Sequence, residues 1–336
     1  MGAFFTRCKI ENSVDRSKSA VIPRILVDTG SEYTWVPAAT LEKIGIKGEK
    51  KGNIVRGFIG DVRDLPRLTR ALEDVDIVFH AAALKHVPII EYNPFEAIKT
   101  NVIGSQNVID ACLHENVEIA VGIGTDKAVS PLNTYGATKL LMEKLFVTAN
   151  NYLDKRRHQT RFLALRYGDV LGSSGSVVPK FIKQIRAKEK ITITDVNMTR
   201  FSITMNEALD FILESTLIGK GSEVFVPKLK AYSITDLKQA LQELLGQTGE
   251  EIIPIRAGEK MHEILINEDE MRYTWEVDSK YVIFTPTHSE SEIKKLYPKI
   301  KKTENLTRYS SDCVDKIPKD ELKQIITNSV LEQLEE

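Results

Sequence analysis

The run Val117-Glu118-Ile119-Ala120-Val121-Gly122-Ile123-Gly124 ends in Thr125-Asp126-Lys127, and eight residues further on Tyr135 opens a Tyr-x-x-x-Lys pair closed by Lys139. A near-continuous apolar run of this length, stopped by polar residues, reads as a strand covered on both faces, the form common in parallel sheets. Residues 75–82 (VDIVFHAA) and 162–170 (FLALRYGDV) repeat the pattern, with helical periods between the runs. The alternation predicts an α/β fold built on a doubly wound, Rossmann-like parallel sheet.

Working outward, Asn93 is placed to cap a helix with Pro94 in its first position, and Phe95, Ile98, Val102, Ile109 and Cys112 trace its apolar face. That makes Cys112 a core residue. A second helix over about 133–150 sets Tyr135 and Lys139 four residues apart, on one face. Beyond 171 the pattern is less regular, with Ser233-x-x-Asp236 as a capping box for a helix over 234–245. Three parts follow: an atypical 1–52, a nucleotide-binding core over 53–170, and a smaller substrate lobe over 171–336, interleaved with the core.

At 336 residues, 42% hydrophobic and 28% charged, the chain has the apolar content for a sizeable core. Its net charge of −1 gives no overall field for nucleic acid or an anionic membrane. Cys8, Cys112 and Cys313 are odd in number and widely spaced, so neither a disulfide framework nor a zinc knuckle is expected. No run of about 18 apolar residues occurs, and the expectation is a cytoplasmic protein without a membrane span. No metal site is expected: His262-Glu263 lacks the second histidine of a zinc helix and is expected to be solvated or capping.

Ligands of open α/β sheets sit outside the carboxyl ends of the strands, which makes Thr125, Asp126 and Lys127 catalytic candidates by position. A lysine cation beside a phenol favours phenolate, so Tyr135 with Lys139 can take a proton from a hydroxyl. Spacing alone fits the bland alternatives as well: helix residues four apart are common, and a Thr-Asp-Lys turn is also what a solvated ion pair looks like.

The longer pattern resembles a known family, the inverting UDP-N-acetylglucosamine 4,6-dehydratases. Gly60-Asp61-Val62-Arg63-Asp64, His80-Ala81-Ala82-Ala83-Leu84-Lys85-His86, Glu91-Tyr92-Asn93-Pro94, Lys99-Thr100-Asn101-Val102, Thr125-Asp126-Lys127-Ala128-Val129 and Tyr135-Gly136-Ala137-Thr138-Lys139 stand in family order. Met198-Thr199-Arg200-Phe201, Arg256-x-Gly258-Glu259-Lys260-x-His262-Glu263 and Tyr309-Ser310-Ser311-Asp312 continue the likeness, which covers about residues 53–315. It implies NADP, or NAD, as cofactor and a UDP-sugar as substrate. By the same likeness Tyr135 is the base at the sugar C4, Lys127, if neutral, removes the C5 proton, and Asp126, if protonated, gives one to the C6 hydroxyl. Asp61, Val62, Ala81, Lys85, Tyr135, Lys139 and Val170 are the implied cofactor contacts. Lys99, Thr100, Asp169, Ser174, Gly175, Ser176, Arg200 and Arg256 are the implied substrate contacts, the arginines as diphosphate ligands. A homo-oligomer is implied too. A UDP-sugar C4 epimerase and a non-catalytic UDP-sugar binder stay open beside the dehydratase.

Two departures touch the substrate region: Asp169 replaces an asparagine and Ser174 an arginine. A larger one lies at the N-terminus. Such a fold needs a Gly-rich turn after its first strand to cradle a pyrophosphate, and no G-x-G-x-x-G occurs anywhere in the chain. Residues 1–50 instead resemble the start of a retropepsin-like aspartic protease, with a strand over 21–27 leading to Asp28-Thr29-Gly30 and then Trp35-Val36-Pro37. One carboxylate cannot supply a paired acid and base, so proteolysis is the weakest reading. The remaining expectation is that Arg24-Ile25-Leu26-Val27 serves as the missing central strand, with the following turn at the phosphate position and a helix over 38–44. Glu32 and Tyr33 would then crowd the diphosphate and weaken NADP binding.

Overall fold

The structure, a computed structural model, describes residues 3–11, 19–28, 58–151, 153–154, 156–173, 175–255 and 258–331. Its strands in chain order are β1 (Ala3–Glu11), β2 (Ser19–Asp28), β3 (Ile77–His80), β4 (Ile119–Ile123), β5 (Arg161–Leu165), β6 (Ile191–Ile193) and β7 (Thr199–Phe201). There follow β8 (Val224–Pro227), β9 (Ala231–Ser233), β10 (Glu250–Ile252), β11 (Ile264–Ile266), β12 (Thr274–Val277), β13 (Lys280–Ile283), β14 (Lys301–Lys302) and β15 (Tyr309–Ser310).

Seven of them form the central sheet, in the order β14-β12-β13-β8-β5-β4-β3. β3, β4, β5 and β8 run parallel, as their apolar runs predict. β13, β12 and β14 join antiparallel, so the sheet is mixed. The cause is local: only two residues separate β12 from β13, with Asp278 at φ 50°, and so short a connection permits only a hairpin.

Helices cover both faces of the parallel part. On one side Val108, Ile109 and Cys112 of the helix Gly104–His114, with Met142 and Phe146 of the helix Thr134–Ala149, pack on Ala120 and Phe162. On the other, Val121, Leu163 and Leu165 meet Phe211, Trp275 and Tyr297. Cys112 is fully buried, and burial pushes its thiol up to about 12. The lobe has its own core, in which Phe181 and Ile185 of the helix Val177–Arg186 meet Leu237 and Leu241 of the helix Ile234–Leu245. Ser233 caps the latter helix by accepting the Asp236 N–H at 3.0 Å, while its hydroxyl donates to the Asp236 carboxylate.

Two expectations change at the other end of the sheet. β3 is an edge strand, and Ile77 and Phe79, in register with Ile119 and Val121, are each 43% exposed rather than covered. β2 pairs with β1 alone, antiparallel from Ala3↔Asp28 to Glu11↔Ser19, in a separate two-stranded sheet. Arg24-Ile25-Leu26-Val27 therefore does not serve as a central strand: the short link over 12–18 suits a hairpin, whereas parallel insertion requires a crossover. Thr29 and Gly30, Glu32, Tyr33, Trp35, the expected phosphate turn and the helix over 38–44 lie outside the described residues.

The helix expected from Asn93 begins there, but the Asn93 side chain donates to the Ile89 carbonyl instead of capping. Phe95 is 61% exposed, so the buried face starts further along than the apolar spacing indicates. Between Pro94–Ala97 and Gly104–His114 the chain winds as a π-helix over Ile98–Ile103.

Candidate active site

β4 and β5 deliver their carboxyl ends side by side, and the chemistry of the sequence gathers there. Directly after β4, Thr125 caps a 3-10 turn over Asp126–Ala128 and donates its hydroxyl to Asp126 Oδ1 at 2.8 Å. The Asp126 N–H donates to the Tyr167 carbonyl beyond β5, locking the two strand ends together. Lys127 Nζ donates to Asp126 Oδ1 and Asp169 Oδ1, both at 3.0 Å. Burial works against this ammonium, but the carboxylates of Asp126, Asp169 and Glu263 outweigh it and hold Lys127 well above the ordinary lysine range. Lys127 is thus a cation, and the neutral base implied by the family resemblance is not its resting state.

The helix Thr134–Ala149 starts with Asn133 accepting the Gly136 N–H at 2.8 Å and brings Tyr135 against Lys127. Burial pushes the Tyr135 phenol above its ordinary range; Lys127 pulls it down, and Asp169 and Asp126 add to the rise. Lys139 does not supply the expected assistance. It donates to the Ile123 carbonyl at 2.5 Å, and burial, partly opposed by Glu143, pushes it down to about 8. The cation acting on the phenol is Lys127, because the ammonium of the lysine one turn along is engaged by the Ile123 carbonyl.

Gly136 shows how tightly the helix sits on the turn: a Cβ there would stand 2.2 Å from the Lys127 carbonyl oxygen. Gly136→Ala is expected to push the turn off the helix at a cost of about 1–3 kcal/mol, seen as a lowered Tm. An unchanged Tm would show that the turn yields freely.

A cavity of about 390 Å³ opens beside this cluster, within the range of small-molecule sites. Lys85, Lys127, Tyr135, Asp169, Val170, Gly175, Ser176 and Arg200 of the sequence-predicted residues line it, from both the core and the lobe. Ser176 stands before the helix Val177–Arg186, and its buried hydroxyl has no partner. Arg200 is engaged on the cavity wall: its Nη1 donates to the Thr199 and Met261 carbonyls, and Glu259 and Glu263 lie 3.6 and 3.5 Å from its guanidinium.

Other predicted residues lie elsewhere. Asp61 is held by Arg63, whose guanidinium keeps its carboxyl below the usual range, and Val62 packs on Gly104. Ala81 is exposed on the loop after β3. Lys99 pairs with Glu96 at 2.8 Å and lies over the Phe95 ring, with Thr100 half-buried beside it in the π-helix. Ser174 and Arg256 fall outside the described residues.

Two residues escaped their sequence reading. Asn101, 1% exposed, accepts the Leu84 N–H at 2.7 Å and donates to the Leu84 carbonyl and to Thr138 Oγ1, tying the loop after β3 to the helix that carries Tyr135. The π-turn aims it inward, and no spacing rule announces a π-turn. Glu263, expected solvated or capping, is 5% exposed on the cavity wall with no partner for Oε2. Burial, then the Asp126 charge, pushes it up to about 7 against Lys127 and Arg200. Its neighbour His262 lies 2.8 Å from Thr199 Oγ1.

The dinucleotide implied by the resemblance meets only half a site. Lys85 and Tyr135 line the cavity while Lys139 is turned to the Ile123 carbonyl, and a Rossmann half needs β-α-β-α-β ahead of the switch point. Between Asp28 and Phe58 lie 29 residues with no G-x-G-x-x-G among them. Among the described residues no glycine-rich turn is placed to hold the pyrophosphate.

A family model described as polysaccharide biosynthesis protein matches residues 25–285. An inverting UDP-N-acetylglucosamine 4,6-dehydratase of Campylobacter jejuni is 48% identical over 264 residues, 77% of this chain and 78% of that protein. The X-ray structure of Pen from Bacillus thuringiensis is 39% identical with a TM-score of 0.73, covering 80% of this chain and 81% of that one. DesIV, a dTDP-glucose 4,6-dehydratase of Streptomyces venezuelae solved with NAD and TYD bound, shares the fold alone at 19% identity and a TM-score of 0.55, over 60% of this chain and 68% of its own.

Proposed function

The chain belongs to the polysaccharide biosynthesis protein family, and from that premise we propose that it acts on UDP-N-acetylglucosamine as an inverting 4,6-dehydratase whose turnover is limited by dinucleotide loading. The observation that carries the reading is the convergence of Lys127, Tyr135 and Asp169 on one cavity that Ser176 and Arg200 also line. The N-terminus of the helix Val177–Arg186 and the Arg200 guanidinium suit a diphosphate, one by its backbone N–H groups and the other by its fork.

Within such a complex Thr125 fixes Asp126, and Asp126 with Asp169 fixes the Lys127 ammonium. Lys127 then enters the reaction as the donor to the departing C6 hydroxyl while the neighbouring Asp126 carboxylate takes the C5 proton, the two exchanging the roles the resemblance implies. Tyr135, protonated at rest, handles the C4 hydroxyl proton with help from the Lys127 charge. A nicotinamide, NADP by the resemblance, supplies the oxidation and reduction when bound.

Mass and NMR analysis of UDP-N-acetylglucosamine after incubation with millimolar NADP is expected to give a 4-keto-6-deoxy sugar that has lost one water. Tyr135→Phe is expected to lower its formation by about 10²-fold or more, as for loss of a general acid or base, with UDP-sugar affinity kept. A 4-epimer with no loss of water would replace the dehydratase reading by an epimerase one.

A further inference from the structure

Glu263 sits at the lobe side of the cavity, immediately before β11. Its backbone is fixed: the Glu263 N–H donates to Ser311 Oγ at 2.9 Å, and its carbonyl accepts the Ser311 N–H at 2.8 Å. The carboxylate is not. Oε1 lies 3.5 Å from Arg200 Nε, beyond a good hydrogen bond, and Oε2 is buried with no partner. A buried carboxylate oxygen without a donor is costly while charged and much less so while protonated.

We propose that Glu263 is a proton-operated counter-charge for Arg200: protonated, it leaves the guanidinium to an incoming diphosphate, and ionised, it claims the guanidinium for itself. The proposal rests on the nucleotide-sugar reading of the cavity and adds to it a condition on binding. The charges facing Glu263 and Arg200 come from every side of the cavity: Asp126 and Lys127 after β4, Asp169 after β5, Arg200 on β7, Tyr232 on β9, and on the segment of Glu263 itself Lys260 and Glu259, the latter 3.6 Å from Arg200 Nη2. Lys127 is already shared by Asp126 and Asp169, which leaves Arg200, among the described residues, as the cation within ion-pair reach of Glu263. An entering diphosphate competes for that same cation and repels the carboxylate, so its binding takes up a proton. Burial places the Glu263 proton near neutrality, at about 7, so the effect falls in the range from pH 6 to 8.5. Because the folded group binds its proton more tightly once the ligand is in, affinity is full below pH 7 and falls as pH rises.

Isothermal titration of the full chain with UDP-N-acetylglucosamine, whose diphosphate diester does not titrate in this range, tests the idea. Affinity is expected to fall about fivefold from pH 6 to pH 8, with proton uptake visible as a buffer-dependent heat; that factor corresponds to a bound-state rise of about one pKa unit. Glu263→Gln is expected to bind at pH 8 as the parent does at pH 6 and to lose the pH slope, while Glu263→Asp, which keeps a titratable group, retains a slope. A flat parent profile, or an equal slope in Glu263→Gln, would overturn the proposal by placing the proton elsewhere. If no variant binds at any pH while circular dichroism shows all three folded, the nucleotide-sugar reading itself falls and takes this inference with it.

Discussion

Titrated with NADPH, the purified protein is expected to show no saturable binding in the low micromolar range, while the same preparation binds UDP-N-acetylglucosamine. The dinucleotide of a Rossmann fold is held chiefly where its pyrophosphate meets a glycine-rich turn and a helix N-terminus. Here the chain has no G-x-G-x-x-G, and β2 is bound into a hairpin away from the sheet. Each hydrogen bond to a charged group is worth about 1.5–3 kcal/mol, so losing two costs at least about 3 kcal/mol, more than a hundredfold in Kd. Fluorescence titration measures it directly, and a low-micromolar Kd would show that residues 29–57 build a pyrophosphate cradle by other means.

The second large effect concerns a network beneath the catalytic turn. Arg166, fully buried just past β5, donates Nε and Nη2 to the Glu143 carboxylate at 2.9 and 2.5 Å. Both of its Nη atoms donate to Glu270 at 2.9 and 2.8 Å, and Nη1 also reaches the Leu265 carbonyl. Glu143 is likewise fully buried. Arg166→Met would take from that buried carboxylate its two guanidinium hydrogen bonds, leaving Lys139 as a nearby charge, and urea denaturation is expected to show a loss of about 3–5 kcal/mol. Removing Glu143 as well, as Arg166→Met with Glu143→Leu, is expected to restore part of it, because the fully buried charge goes while the less buried Glu270 carboxylate stays without its guanidinium. A single variant as stable as the parent would mean that Glu143 finds a proton or a water instead.

The sequence reading carried furthest where one physical cause dominates. Parallel strands buried on both faces must be apolar throughout, so β4 and β5 were plain, and a strand's carboxyl end is where ligands go, so Thr125, Asp126 and Lys127 followed. The antiparallel extension by β12 and β13 was not plain, because it depends on the two-residue link at Asp278, which composition alone does not mark. Lys139 shows a different limit: helix spacing places it on the face of Tyr135, but a hydrogen bond to the Ile123 carbonyl, distant in sequence, decides where its ammonium goes. Lys127 was legible as a residue and not as a charge state, since two of its three carboxylate neighbours, Asp169 and Glu263, come from segments far away in sequence. Glu263 was hidden for the same reason, its burial being a product of the lobe folding over it.

The hold of Asn101 on Leu84 and Thr138 fixes which parts of the protein are free to move when a ligand arrives. With the loop after β3 pinned to the helix that carries Tyr135, and that helix wedged on the Lys127 turn through Gly136, the core side of the cavity behaves as one anvil. Among the described residues, what is left to close on a ligand is the lobe, with the segments bearing Ser176, Arg200 and Glu263, and substitutions that loosen the lobe should slow ligand capture without disturbing the Lys127–Tyr135 cluster.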